Sequence, residues 1–191
     1  MKYYIFLLFL LFFTSCENEA PVKTVYSYFR GDIDGQKVCV EQSSAHDIRF
    51  CTVTTSEYRG GEQVVYGWVM HLSESCDAYK EPPLFSIQLA PLHEGEYDIS
   101  KGHAREYESC LSFVSGKGRY VPMPEKPFKL SVVTIVRATP RTDTPYVRGT
   151  MEGVLYNEKN PRDSVVVCEA VFRLVPGEMI MREEEWKAYW D

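Results

Sequence analysis

The sequence predicts an all-β fold, an antiparallel sandwich or barrel of about ten strands with a short C-terminal helix. Two observations predict the strands: apolar and polar residues alternate over many short segments, and turn residues separate these segments at close spacing. A third observation predicts the pairing. No helical pattern lies between the strand segments, whereas parallel βαβ units would need one. Neighbouring strands are therefore expected to pair in an antiparallel manner.

The chain begins with a segment that is not part of the fold. Lys2 is followed by an unbroken apolar run over residues 3–13, by the small residues Thr14 and Ser15, and then by Cys16. This order of charged, apolar and small residues is typical of a secretory signal. The apolar run is too short to span a bilayer, which takes about 20 residues. We therefore expect a signal peptide over residues 1–15.

The end of this signal, Phe13-Thr14-Ser15-Cys16, resembles the lipobox of bacterial lipoproteins. The resemblance implies cleavage before Cys16 and acylation of that cysteine, and several acyl chains together hold a protein firmly on a membrane. Glu17 stands where an Asp would retain such a lipoprotein in the inner membrane. The resemblance thus implies the outer membrane, with the domain facing either the periplasm or the cell surface. A plain cleaved signal, which would leave Cys16 as a thiol, is the alternative.

The rest of the chain divides into a tether, a domain and a tail. Residues 16–24 form a short polar tether, residues 25–177 the β domain, and residues 178–191 a helix or a frayed tail. Without the signal 176 residues remain, which is enough to bury a core. The net charge is −6 for the whole chain and −7 once Lys2 is removed. This acidic balance argues against nucleic acid as a partner, because phosphate backbones would be repelled.

The first strands form a predicted hairpin. Tyr26–Ile33 and Gln36–Gln42 flank Asp34-Gly35, a dipeptide typical of a two-residue type I′ turn. Asp32 and Asp34 also match the start of a calcium loop, but its later ligands are missing, so no metal site is predicted. A third strand, Asp47–Thr54, is expected to follow after a turn near Ala45.

Alternation predicts the later strands as well. They are Gln63–Leu72, Leu84–Ala90, Tyr97–Ile99, Leu111–Val114, Phe128–Ala138, Tyr146–Tyr156 and Val165–Val175. Gln63–Leu72 is apolar on both faces and is expected to lie centrally. In Val165–Val175 the period of two places Val166, Cys168, Ala170, Phe172 and Leu174 on one inner face. The apolar stripe at helical spacing in Glu178–Trp190 predicts the short C-terminal helix.

Three stretches of the body resemble small β-rich bacterial lipoproteins of unknown function. They are Ile33-Asp34-Gly35, the octapeptide LHEGEYDI at residues 92–99, and the hexapeptide RGTMEG at residues 148–153. The resemblance implies a β fold and carries no activity.

Five cysteines remain besides Cys16, and an exported compartment permits disulfides. In a hairpin centred on Ala45, Cys39 stands opposite Cys51, which predicts a first bridge. Cys76 and Cys110, both next to loops, are the second predicted pair. Cys168 is expected to be a buried free thiol.

No catalytic motif occurs. The sequence lacks Gly-x-Ser-x-Gly and His-Glu-x-x-His, so no catalytic residue, metal or cofactor is predicted. Three long loops, at 73–83, 100–109 and 116–127, carry tyrosines and cations that would suit a glycan. The candidate ligand-binding residues are Tyr79, Lys101, Arg105, Tyr107, Arg119 and Tyr120. Solvated loops with scattered charge are the alternative.

The predicted function is a lipid-anchored binding or interaction module of the cell envelope. The membrane is its expected partner, and a glycan or another envelope protein the candidate ligand. Two alternatives stay open: an envelope hydrolase with a dispersed active site, and a structural or inhibitory partner of another envelope protein. Fold class alone does not choose between them.

Overall fold

The computed structural model describes residues 26–42, 50–53, 58–59, 62–63, 65–73, 82–103, 108–136 and 146–175. The predicted lipidation site Cys16, the tether and the C-terminal helix lie outside these residues. Within them the protein is all β. The strands are β1 (Tyr28–Ile33), β2 (Gln36–Glu41), β3 (Phe50–Val53), β4 (Tyr58–Arg59), β5 (Glu62–Gln63), β6 (Tyr66–His71), β7 (Leu84–Leu89), β8 (Gly95–Ile99), β9 (Cys110–Ser115), β10 (Gly118–Val121), β11 (Phe128–Val136), β12 (Tyr146–Asn157) and β13 (Ser164–Leu174).

Eleven of these strands form one antiparallel sheet, and β4 and β5 form a separate ribbon. The main path of the sheet is β2-β1-β13-β12-β10-β9-β7-β6-β3, and β12 is its branch point. One edge of β12 pairs with β13. The other edge pairs with β11 along residues 146–152 and with β10 at residues 156–157. Two arms of the main path leave β12: β13-β1-β2 from one edge and β10-β9-β7-β6-β3 from the other. β11 and β8 form a side branch off this path. The described residues contain no helix that is long and apolar enough to cross a bilayer.

The sheet curls so that its arms face each other. The ring of Phe29 on β1 lies 5.5 Å from that of Phe85 on β7, although the two strands are five steps apart along the path. Phe85 in turn packs on Phe113 of β9 at 4.8 Å. These buried rings join one apolar core that draws on both arms. The expectation of an antiparallel all-β fold is therefore confirmed, in the form of a curled sheet.

The turn between β1 and β2 has the predicted geometry. Asp34 has φ 53° and Gly35 has φ 78°, and a type I′ turn needs positive φ at both central positions. The turn is also tied to β13: the backbone N of Asp34 donates to the carbonyl of Val166 at 2.9 Å, and its Oδ1 accepts from the N–H of Val166 at 2.7 Å. Asp34 thus fixes this turn at one end of the domain.

Strand β13 carries one residue more than its neighbours. Arg30 stands opposite Val171 but Asp32 stands opposite Cys168, so two residues on β1 face three on β13. The register between β12 and β13 shifts by one residue at the same place. The extra residue lies at Glu169, which has φ 48°. Because side chains alternate with a period of two, this bulge exchanges the two faces of the strand. Cys168 is free as predicted, but it is exposed rather than buried.

The expected hairpin between β2 and β3 is wrong. β2 pairs with β1, and β3 pairs with β6. β2 and β3 are therefore the outermost strands of opposite arms of the path. Cys51 stands opposite Val69, and Cys39 is a free, exposed thiol, so the predicted Cys39–Cys51 bridge is not formed. Cys110 forms no disulfide either, which removes the second predicted pair; Cys76 lies outside the described residues. The prediction failed because it assumed that consecutive strands pair.

Candidate functional site

A cleft of about 380 Å³ opens at the end of the domain that the β1–β2 turn marks. The β9–β10 turn and the start of β13 border it as well. Leu72 and Pro83, at the two ends of the β6–β7 connection, also border the cleft. The backbone N–H of Leu72 donates to the carbonyl of Pro83 at 2.8 Å. Connections from both arms therefore meet around one opening, because the curl of the sheet brings their ends together.

The walls of the cleft are largely apolar. They are formed where the inner faces of the strands end, by Ile33, Val38, Leu72, Phe113 and Val165. Leu72, Phe113 and Val165 are buried core residues, and Ile33 and Val38 are half-buried against the core. Apolar walls with a few placed polar groups are typical of sites for small molecules.

The polar centre of the cleft is a carboxylate with two fixed donors. The hydroxyl of Tyr120 donates to Oδ2 of Asp163 at 2.7 Å, and Nδ2 of Asn157 donates to the same oxygen at 3.1 Å. Oδ1 of Asp163 accepts no hydrogen bond from the residues that the structure describes. This second oxygen is therefore available to accept a hydrogen bond from a ligand.

The hydrogen bonds at Asp163 also determine the protonation states of Asp163 and Tyr120. The hydrogen bond from Tyr120 and then that from Asn157 lower the pKa of Asp163, and the charge of Lys117 adds to this. The hydrogen bond to Asp163, followed by burial, raises the pKa of Tyr120. Asp163 is thus an ionised acceptor and Tyr120 a protonated donor across the neutral range, which suits binding.

The β12–β13 turn holds Asp163 in place through its own backbone. The N–H of Asn157 donates to the carbonyl of Asp163, and the N–H of Asp163 donates to the carbonyl of Asn160, both at 2.9 Å. Gly118 on β10 leaves room for this turn, since a Cβ there would lie 3.2 Å from Nδ2 of Asn157. Because both its side chain and its backbone are held by hydrogen bonds, the Asp163 carboxylate is preorganised for a ligand.

The structure places the predicted ligand-binding residues differently from the expectation. Tyr120 is 1% exposed, because residues 118–121 form β10 rather than a loop, and it lines the cleft from the core side. Lys101 pairs with Glu108 at 2.6 Å. Arg119 donates through Nη2 to the carbonyl of Gly102 at 3.2 Å and to Oγ of Ser112 at 3.0 Å. Lys101 and Arg119 are not among the residues that line the cleft. Tyr79, Arg105 and Tyr107 lie outside the described residues.

The acceptor itself, Asp163, was not among the residues predicted from the sequence. Asp163 and Asn157 belong to the stretch NEKNPRD, a dense polar turn between two long strands. Such a turn is recognisable from composition. That Tyr120 reaches it from another hairpin, 43 residues away, is a property of the sheet alone.

Two further pockets lie on the outer face of the sheet. They measure about 460 Å³ and 340 Å³ and run across β8, β11, β12 and β13. Their polar side chains belong to exposed strand faces, among them Glu96, Asp98, Glu152 and Glu169. In the part of the chain that the structure describes, no group of His, Cys, Asp and Glu could hold a metal ion.

Residues 26–174 match a family described as a domain of unknown function, DUF5025. The match runs from just before β1 to the end of β13 and so contains the cleft. Neither a curated protein nor a solved structure matches the chain. Since the family match spans most of the sequence, the protein belongs to the DUF5025 family.

Proposed function

We propose that this protein is a lipid-anchored binding module of the outer membrane, which takes a glycan or a similar polyhydroxylated ligand in the end cleft. Cys16 is the lipidation site in this proposal, and the domain binds rather than transforms its ligand. The observation that supports the proposal is the ionised carboxylate of Asp163, held by Tyr120 and Asn157 inside an apolar-walled cleft.

The chemistry of the cleft suits a sugar. Hydroxyl groups would donate to the open oxygen of Asp163, and such charge-assisted hydrogen bonds are stronger than neutral ones. Lys117 and Gln36 supply donors for other hydroxyls or for a carboxylate. The apolar face of a sugar ring would lie against Phe113 and Leu72. The cleft volume falls in the range of small-ligand sites, roughly 300–1,000 Å³.

A hydrolase fits the cleft less well. Hydrolysis of a glycosidic bond requires a carboxylic acid whose pKa is raised so that it can donate a proton. The pKa of Asp163 moves in the opposite direction. An envelope hydrolase would therefore need a proton donor other than Asp163.

The proposal is tested with the detergent-solubilised, full-length protein on a glycan array, followed by calorimetric titration with the best glycan. Asp163→Asn should weaken binding about tenfold or more, because a hydrogen bond to a charged group contributes about 1.5–3 kcal/mol. Lys117→Gln, on the exposed rim, is the second variant and should weaken binding of acidic glycans. Lys129→Gln, on the outer face, is the matched control.

Two results would contradict the proposal. One is the absence of saturable binding to any glycan by a protein that unfolds cooperatively. The other is glycan affinity that Asp163→Asn and Lys117→Gln leave unchanged, which would place the ligand elsewhere on the molecule.

A further inference from the structure

The outer face of the sheet carries a group of arginines at the end opposite the cleft. Arg148 on β12 stands opposite Arg173 on β13, and Arg173 stands opposite Tyr28 on β1. Arg30 follows two residues later on the same face of β1. These four residues, Tyr28, Arg30, Arg148 and Arg173, are called the arginine patch below.

Contacts with the tyrosine ring hold two of the guanidinium groups. Cζ of Arg173 lies 4.7 Å from the centroid of the Tyr28 ring, and Cζ of Arg30 lies 5.1 Å from it. Nε of Arg173 also donates to the carbonyl of Tyr26 at 2.6 Å. Cation–π contacts and this hydrogen bond fix the charges in place while the patch stays on the surface.

Among the described residues, the positive charge of the patch is only partly balanced. Directly opposed like charges on neighbouring strands repel each other, as Arg148 and Arg173 must. Among the residues that the structure describes, neither forms an ion pair, whereas Arg30 pairs with Glu41 at 3.2 Å. Three arginines and one glutamate leave a local charge of +2 on a chain whose net charge is −6. An arrangement that costs stability locally indicates an anionic partner from outside.

The position of the patch indicates which partner. Tyr26, whose carbonyl Arg173 holds, follows the tether after one residue. The nine residues 17–25 reach at most about 30 Å when fully extended. A chain acylated at Cys16 therefore keeps the arginine patch within that distance of the bilayer.

We infer that the arginine patch docks on the anionic phosphate groups of lipid headgroups and so orients the anchored domain. This inference rests on the proposed lipid anchor. Arginine forks match phosphate, and tyrosine rings favour the membrane–water interface. Strand β1 leads from the patch to the cleft over six residues, which is about 20 Å. The docked domain holds its cleft on the side away from the membrane.

The test uses the full-length, acylated protein reconstituted into phosphatidylcholine vesicles with or without phosphatidylglycerol, each lipid carrying a photo-crosslinker in turn. Adducts are mapped by mass spectrometry. We expect phosphatidylglycerol adducts near Tyr28 and Arg148, and few near Asp163. Arg148→Gln should lower the adduct yield about fivefold, as expected for one arginine at an anionic surface. Lys129→Gln, exposed on the same face but away from the patch, should not. High ionic strength should act like Arg148→Gln.

Three results would overturn the inference: adducts spread evenly over the domain, adducts concentrated near Asp163, or a yield that Arg148→Gln leaves unchanged. The last result would also be expected if the acidic residues 183–185 occupied the patch instead of lipid. The mass of the N-terminal peptide tests the anchor separately. If Cys16 carries no acyl chain, the anchor proposal fails, and co-sedimentation of wild type and Arg148→Gln with the same vesicles still decides whether the patch binds lipid.

Discussion

The hydroxyl of Tyr120 and the carboxylate of Asp163 are 2.7 Å apart, although 43 residues separate them in sequence. Tyr120 lies on β10 and Asp163 precedes β13, and both of these strands pair with β12. This hydrogen bond therefore joins the two arms of the sheet at the cleft. It fixes the charge of the proposed acceptor and also contributes to the stability of the fold, so its removal has consequences for both.

The first prediction concerns pH. The pKa of Asp163 is lower in the folded protein than in the unfolded chain, so its contribution to stability is present above its ordinary pKa and is lost as the pH falls through the folded value. The pKa of Tyr120 is raised, so its contribution is present below pH 10 and is lost as the pH rises through its folded value. Tyr120→Phe should lower the melting temperature at neutral pH, by an amount that shrinks in acid and in strong alkali. A difference that is constant from pH 2 to pH 11 would contradict this account.

The second prediction concerns the bulge in β13. A Cβ on Gly31 would lie 2.7 Å from Cβ of Ala170, next to the extra residue Glu169. Gly31→Ala should therefore lower the free energy of unfolding by about 1–3 kcal/mol through overpacking. The control is Gly116→Ala, because nothing lies within 4 Å of a Cβ at Gly116. Urea denaturation measures both. Equal stabilities for the two variants would show that β1 and β13 are not this close.

The third prediction concerns the thiols. Cys39 and Cys168 are exposed in the folded protein, and Cys110 is half-buried. Under native conditions a maleimide should modify Cys39 and Cys168 rapidly and Cys110 more slowly, because access limits the reaction. Peptide mapping after labelling identifies each site. A disulfide at Cys39 or Cys110 in the native protein would contradict the structure, in which neither residue forms one.

Local patterns were enough to predict the strands and one turn. Asp34-Gly35 forms its type I′ turn because only the conformational freedom of those two residues is involved. In β12, Val147, Met151 and Leu155 are buried and lie an even number of residues apart, because the pleat of a strand is a property of its own backbone. These features depend on residues that are neighbours in sequence.

The candidate site could not be predicted in the same way. Tyr120 was recognised, but as an exposed loop residue, because the short segment Gly118–Val121 becomes a strand only by pairing with β9 and β12. Asp163 was missed because its importance comes from Tyr120, which belongs to another hairpin. The bulge at Glu169, which exposes Cys168, depends on a register slip against both β1 and β12.

The sequence by itself determined that the chain is β-rich, where most strands lie, and which dipeptide turns the first hairpin. Only the tertiary structure decided which strands pair, which face of β13 is buried beyond the bulge, and that the cleft and the arginine patch lie at opposite ends. The physical reason is how far apart in sequence the interacting residues lie. Backbone geometry and alternation act between near neighbours in sequence, whereas strand pairing and core packing are decided by contacts between residues that are distant in sequence.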